Sequence, residues 1–380
     1  MIRGVCMSSD RVRVRYEMLK AIRNLSSVTN YLTYEKVINY LKYLNDFRKR
    51  KIVTSSFPPM ITFQASAYCN SNCRLCPVGL EIKGPEKGFL KFDVFSKVIN
   101  ESSKYLITVF FADWGEPFLN PDIYDMIKYA ETKRIITRAS TNLHRFKNED
   151  DLKELLDCGL SFLTISLHGV SQETYDAYQP DKSFQATVEK IKTLVGLKKQ
   201  SKREKPIIDL AFAVTRKNQH EIEKMQSFAK ELRVNSTIYT ASLNLRFYLK
   251  DPDAMTRMVS EWAQSIKIDP RSNDERNKQK IMELYEVIKK DNQADFDALD
   301  KLRLTTRHFC VDPWEGLTVN WNGTVSLCCT DYSKYVMGDT CEESITRIWN
   351  NEKYRYVRGF LLGRSATNDV DFPCKHCIRY

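Results

Sequence analysis

The sequence lacks any apolar run of the roughly 18 residues that a membrane-spanning helix requires. Its first twenty residues, MIRGVCMSSDRVRVRYEMLK, also lack the apolar stretch of a secretory signal. No internal repeat or low-complexity segment occurs in the 380 residues, of which 42% are hydrophobic and 28% charged. These absences exclude a helical membrane protein and favour a globular protein with a sizeable core and a cytoplasmic location.

Cysteine is nearly absent from the middle of the chain and concentrated near its two ends. Three of the eleven cysteines lie between residues 69 and 76, and six lie after residue 309, which leaves Cys6 and Cys158 apart. Cytosolic thiols are kept reduced, so such clusters indicate metal ligands or reactive thiols rather than disulfides.

Basic residues exceed acidic ones, and the formal net charge is +11. This surplus suits an anionic partner, such as a phosphorylated metabolite, a membrane surface, a nucleic acid or an acidic electron carrier. The basic residues are scattered, so solubility explains the surplus equally well. A nucleic-acid partner is disfavoured because no stripe of basic and aromatic residues is present.

Short apolar strands alternate with longer helical segments in the first two thirds of the chain. Candidate strands cover 60–66, 106–112, 135–140, 162–167, 207–214 and 236–242. Candidate helices between and after them cover 91–106, 121–133, 150–160, 183–200 and 218–233. This alternation indicates βαβ units. Six repeats are fewer than the eight of a closed barrel, so we expect an α/β fold with an open, partial (β/α)6 TIM-like barrel.

Composition divides the chain into four expected regions. Residues 1–56 form an N-terminal helical segment, 57–250 the partial barrel, and 251–305 a charged helical connector or lid. Residues 306–380 form a small C-terminal α+β region rich in cysteine and tryptophan.

The first cysteine cluster, CNSNCRLC, follows the first predicted strand. Cys69, Cys73 and Cys76 have the spacing C-x3-C-x2-C, which can hold three corners of a 4Fe–4S cluster and leave one iron open. A structural zinc site requires four ligands, so zinc remains an alternative if a distant residue completes the site. The position favours function, since βα folds carry their chemistry at the carboxyl ends of the strands.

These residues resemble the signature of the radical SAM superfamily, and three further strand ends extend the resemblance. WGEP, with Gly115, Glu116 and Pro117, is similar to the motif that meets the amino group of S-adenosylmethionine (SAM). STN supplies Ser140 and Asn142 where the family contacts the ribose and carboxylate of SAM, and SLHG supplies Ser166 and His168, with histidine replacing the usual acidic residue. Gln179 occupies a position where the family often has arginine.

The second cysteine cluster can hold another metal centre. Cys310, Cys328, Cys374 and Cys377 supply four thiolates, and Gly323 precedes Cys328 in a predicted hairpin turn. The region resembles the SPASM domain in its shorter twitch form, which implies one auxiliary 4Fe–4S cluster. Zinc is the competing metal. Cys329 and Cys341 are then surplus and are candidate hydrogen donors.

The resemblance implies reductive cleavage of SAM to a 5′-deoxyadenosyl radical, which abstracts a hydrogen atom from the substrate. Oxidation, epimerisation or rearrangement of a sugar-like or phosphorylated small molecule is the expected reaction. Maturation of a peptide is the alternative, and a non-catalytic iron–sulfur or zinc protein is a third. A flavodoxin or ferredoxin is the electron donor that the resemblance implies.

Overall fold

The computed structural model describes residues 28–74, 76, 78–79, 86–214, 218–240, 310–328, 335–365, 372 and 374. The expected connector at 251–305 lies outside the described residues, as do Cys6, Cys329 and Cys377. Within the described part of the chain, no helix is both long enough and apolar enough to cross a membrane.

Six parallel strands form the barrel wall and confirm the six strand predictions. They are β1 (Met60–Phe63), β2 (Thr108–Phe111), β3 (Ile136–Thr141), β4 (Phe162–Ser166), β5 (Ile207–Val214) and β6 (Asn235–Thr240). Each strand pairs in parallel with the next along the chain, so their carboxyl ends lie at one edge of the sheet.

Helix α1 precedes β1, and the later helices link the strands and cover the outer face of the sheet. In chain order they are α1 (Tyr34–Arg48), α2 (Phe92–Ser102), α3 (Ile123–Thr132), α4 (Glu149–Asp157), α5 (Gln172–Asp176), α6 (Phe184–Gln200) and α7 (Ile222–Glu231). Their apolar faces pack against alternate strand residues, including Phe63, Phe111 and Leu163, which are fully buried. The remaining alternate residues face the inside of the barrel.

The C-terminal region extends the barrel sheet. It contains α8 (Asp312–Glu315), β7 (Gly316–Val319), β8 (Thr324–Ser326), β9 (Val336–Asp339), α9 (Ile345–Ile348) and α10 (Glu352–Leu361). Strand β7 pairs in parallel with β1, and the described sheet has the order β6-β5-β4-β3-β2-β1-β7-β8-β9. The sheet is therefore open, as the sequence predicts, but the C-terminal region shares it.

The N-terminal segment packs against the end of the barrel opposite the strand carboxyl ends. Tyr31 packs with the apolar side chains of Ile107, Ile136 and Phe162. The Tyr31 hydroxyl donates to Glu131 Oε2 at 3.0 Å, and Lys205 Nζ lies 2.9 Å from Glu131 Oε1. These contacts attach the segment to the amino ends of β2, β3 and β4.

Arg358 on α10 joins the N-terminal and C-terminal regions. Its buried guanidinium donates to the carbonyl oxygens of Ile52 (3.0 Å), Pro313 (2.8 Å) and Trp349 (2.9 Å). It also donates to Asn350 Oδ1 at 2.9 Å. One cation therefore satisfies several buried acceptors from three parts of the chain.

We expect Arg358→Met to lower the free energy of unfolding by at least about 3 kcal/mol, since each buried carbonyl left without a donor costs about 1–3 kcal/mol. Denaturant titration of the holoprotein measures the change. Arg347→Met is the matched control, because the Arg347 side chain is 81% exposed. Equal stability of the two variants would contradict the role of Arg358.

Candidate active site

The three cysteines of the first cluster lie on a loop that leaves β1 and is held by backbone contacts. Cys76 N donates to Cys73 O at 3.2 Å. The chain then folds back on the loop, since a Cβ added at Gly79 would lie 2.4 Å from both Cys73 N and Cys73 O. Glycine at this position allows the close approach that keeps the loop compact.

The cysteine thiols influence one another electrostatically. Burial, followed by the charge of Glu116, raises the pKa of Cys69 to about 11. Burial and the neighbouring Cys76 and Cys69 raise the pKa of Cys73 well above its usual value. Burial and mutual repulsion therefore oppose the ionisation of these thiols. For all of them to bind as thiolates, a cation must balance their charge, and the iron of a cluster would supply it. The described residues contain no group of three or more His, Cys, Asp or Glu side chains that could hold a metal ion by their placement alone.

Gly115 brings the end of β2 against the cysteine loop. Its φ angle is +146°, and a Cβ at this position would lie 1.9 Å from Ser66 O and 3.1 Å from Tyr68 O. The next residue, Glu116, donates its backbone N–H to Tyr68 O at 2.8 Å. An L side chain at position 115 therefore cannot be accommodated without separating β2 from the loop.

The Glu116 carboxylate joins the ends of β2 and β3. Its Oε2 accepts a hydrogen bond from Asn142 N at 2.8 Å, and its Oε1 accepts one from Phe118 N at 3.3 Å. Burial raises the pKa of Glu116 to about 7, against the lowering effect of these hydrogen bonds. Pro117 begins the short helix that follows.

Asn142, directly after β3, reaches the cysteine loop with its side-chain amide. Its Nδ2 lies 2.8 Å from Asn70 Oδ1 and 3.7 Å from Cys69 Sγ. Its Oδ1 accepts from His144 N at 2.8 Å. The structure therefore brings together the first cysteine, the glutamate motif and the β3 motif that the sequence analysis identified separately. Ser140, half-buried on β3, pairs with Thr164 of β4.

Ser166 and His168 lie at the end of β4 in different environments. Ser166 is half-buried and in register with Ala211 of β5. The His168 imidazole is buried, accepts a hydrogen bond at Nδ1 from Ala213 N at 3.0 Å, and lies 4.1 Å from the Tyr178 ring. Burial lowers its pKa to about 3, so this neutral histidine supports the contact between β4 and β5.

Gln179 departs from the family's usual residue, and the sequence alone predicts no role for it. Its side chain is buried, and its hydrogen bond opposes the effects of burial and nearby charge on the pKa of Cys73. Arg74 N donates to Tyr178 O at 2.9 Å, which anchors the segment after α5 to the cysteine loop. In the sequence, the only mark of this position is the replacement of the family's usual residue by Gln179.

The described cysteines of the C-terminal region occupy two kinds of environment. Cys310, Cys328 and Cys374 are half-buried, and Cys328 is close enough to the buried Tyr354 to affect its phenol electrostatically. Cys341 is exposed, and its backbone N–H donates to Asp339 Oδ1 at 2.7 Å. Gly323 makes the predicted turn with a φ of +90°.

Two family models match this chain. The radical SAM superfamily model matches residues 64–229, and an iron–sulfur cluster-binding domain model, SPASM, matches residues 310–378. The chain belongs to the radical SAM superfamily and carries a C-terminal SPASM domain. It is an enzyme of this family, and its cofactors are SAM and 4Fe–4S clusters, one that binds SAM and one auxiliary.

Individual relatives agree with this assignment. The chain is 23% identical over 312 residues to the tungsten-containing aldehyde ferredoxin oxidoreductase cofactor-modifying protein of Pyrococcus furiosus, covering 78% of this chain and 82% of the relative. It is 25% identical over 181 residues to the AdoMet-dependent heme synthase of Methanosarcina barkeri, covering 48% and 50%. The structure of Streptococcus suis SuiB bound to S-adenosylmethionine has the same fold, with a TM-score of 0.54, 15% identity and coverage of 93% of this chain and 79% of SuiB.

The chemistry of the described residues at the strand ends suits the family's cluster, whereas their placement alone forms no site for a single metal ion. Three thiols supply the donor set, and the fold of the chain at Gly79 keeps their loop compact. Gly115 and Glu116 hold the next strand end against it. Soft thiolate donors are those that iron–sulfur clusters select.

We expect Gly115→Ala to destabilise the protein by about 3 kcal/mol or more and to abolish SAM binding, because the added methyl group strains the backbone and meets Ser66 O. Calorimetric titration with SAM and denaturant titration measure the two effects. Gly196→Ala is the matched control, since no atom lies within 4 Å of its added Cβ. A Gly115 variant that binds SAM as the unsubstituted enzyme does would contradict this role.

Proposed function

We propose that Cys69, Cys73 and Cys76 hold the cluster that binds SAM and that the enzyme abstracts a hydrogen atom from a polar small molecule. When bound, the cluster and SAM supply a 5′-deoxyadenosyl radical. The proposal is supported by two residues, Asn142 and Glu116, which connect the ends of β1, β2 and β3. Asn142 reaches Cys69 Sγ at 3.7 Å, and Glu116 binds the backbone of both Asn142 and Tyr68.

The remaining motif residues surround this point. Gly115 and Pro117 shape the β2 end, where the amino group of SAM would bind. Ser140 and Asn142 lie at the β3 end, where the ribose and carboxylate of SAM would bind, and Ser166 and His168 lie at the β4 end as further candidate SAM contacts. The buried contacts of His168 support a positioning role, in which it fixes the β4 end against β5.

The inner face of the barrel favours a hydroxylated or anionic substrate. Ser140, Thr164 and Asp209 occupy one level across β3, β4 and β5, and Asp209 Oδ2 accepts from Thr237 Oγ1 at 2.7 Å. Arg138 is two residues before Ser140 and stacks on Phe110 at 4.6 Å. Hydroxyl, carboxylate and guanidinium groups suit a sugar-like or phosphorylated molecule, which would undergo oxidation, epimerisation or rearrangement.

The C-terminal region completes the proposal. Cys310, Cys328, Cys374 and Cys377 would hold the auxiliary cluster, and Cys329 or Cys341 would donate hydrogen in an epimerisation. The Cys341 side chain is exposed, which favours its contact with solvent over contact with a substrate. A flavodoxin or ferredoxin would supply electrons, and the positive net charge suits such an acidic carrier.

We expect Cys73→Ser to reduce the release of 5′-deoxyadenosine to the level without enzyme, because one cluster ligand is lost. The measurement is mass spectrometry of anaerobically reconstituted protein after addition of SAM and dithionite. Cys158→Ala is the matched control, since Cys158 is buried beside α4 and should leave SAM cleavage unchanged.

Zinc instead of iron, or intact SAM after reduction, would contradict the proposal. The substrate class is tested in the same assay with panels of deuterated sugar phosphates, free sugars and peptides. Deuterium in 5′-deoxyadenosine from the sugars or sugar phosphates supports the small-molecule reaction. Deuterium transfer from peptides alone would contradict that reaction and indicate peptide modification.

A further inference from the structure

A side-chain amide lies against a sulfur atom of the cysteine loop. It belongs to Asn142, whose two N–H groups both have acceptors. One is directed to Asn70 Oδ1 at 2.8 Å and the other to Cys69 Sγ at 3.7 Å, within the range of hydrogen bonds to sulfur. His144 N binds the Asn142 carbonyl oxygen and so fixes which side of the amide faces the sulfur.

The Asn142 amide is positioned without SAM. Glu116 binds the Asn142 backbone N–H, and Asn70 and His144 N bind its side chain. Its action on Cys69 Sγ therefore does not depend on bound SAM. This distinguishes it from residues that only contact SAM.

Hydrogen bonds to the sulfur atoms of an iron–sulfur cluster are one of the means by which a protein sets its reduction potential. Reduction adds negative charge to the cluster, and an N–H group directed at a ligand sulfur stabilises that charge. Neutral amides do so without adding a full positive charge to the buried site. The potential then rises, which makes reduction by an electron carrier easier.

We propose that the Asn142 amide donates an N–H···S hydrogen bond to the Cys69 thiolate and raises the reduction potential of the SAM-binding cluster. The proposal rests on the proposed function, since it takes Cys69 as a cluster ligand. In this role Asn142 is a positioning and tuning residue.

The test is a redox titration of the holoenzyme without SAM, followed by electron paramagnetic resonance. A parallel sample with SAM identifies the signal to follow, because the SAM-binding cluster is the one whose spectrum changes. The variants are Asn142→Leu and Asn142→Ser. Asn100→Leu is the matched control, since Asn100 is exposed on helix α2.

We expect the midpoint potential to become more negative in Asn142→Leu, because the N–H donor to Cys69 Sγ is lost. The control should keep the potential of the unsubstituted enzyme. If Asn142→Leu fails to bind iron, Asn142→Ser, which also lacks the amide donor, gives the test.

Unchanged potentials in iron-loaded variants of Asn142 would overturn the inference, whereas the proposed function would stand if SAM still altered the spectrum. Failure of the unsubstituted protein to assemble a SAM-responsive cluster would instead overturn the proposed function.

Discussion

The buried Glu116 carboxylate is the interaction on which the site depends. The Glu116 backbone N–H binds the loop after β1, and the Glu116 side chain binds the end of β3. Parallel pairing brings strand ends to one edge of a sheet, but it does not fix the loops that follow them. Glu116 provides that restraint, and Gly115 makes it possible because its missing Cβ lets the β2 end approach Ser66 O.

The strand order makes the C-terminal region part of the same structure. Strand β7 extends the sheet from β1, the strand that leads into the cysteine loop. Arg358 and Trp349 bind carbonyl groups of the segment before β1, with Trp349 Nε1 lying 2.9 Å from Ser56 O. The strand that positions the first cysteines is therefore held between β2 and the C-terminal region.

Much of this arrangement could be predicted from sequence. Apolar strands such as 207–214 alternate with amphipathic helices, so local periodicity predicts the barrel and its openness. Spacing located Cys69, Cys73 and Cys76, and resemblance located Glu116 and Asn142. The pairing of β7 with β1 was not predictable, because it joins residues more than 250 positions apart and no local pattern specifies a partner strand.

The orientation of individual side chains could also not be predicted from the sequence. His168 occupies a motif position at a strand end, yet its imidazole binds the β5 backbone, because packing between two strands sets its orientation.

The direct measurement of the central claim is Mössbauer spectroscopy of the protein loaded with ⁵⁷Fe, with and without SAM. The account predicts that SAM changes the signal of a single iron in one cluster and leaves the others unchanged. Spectra that are identical with and without SAM would contradict it.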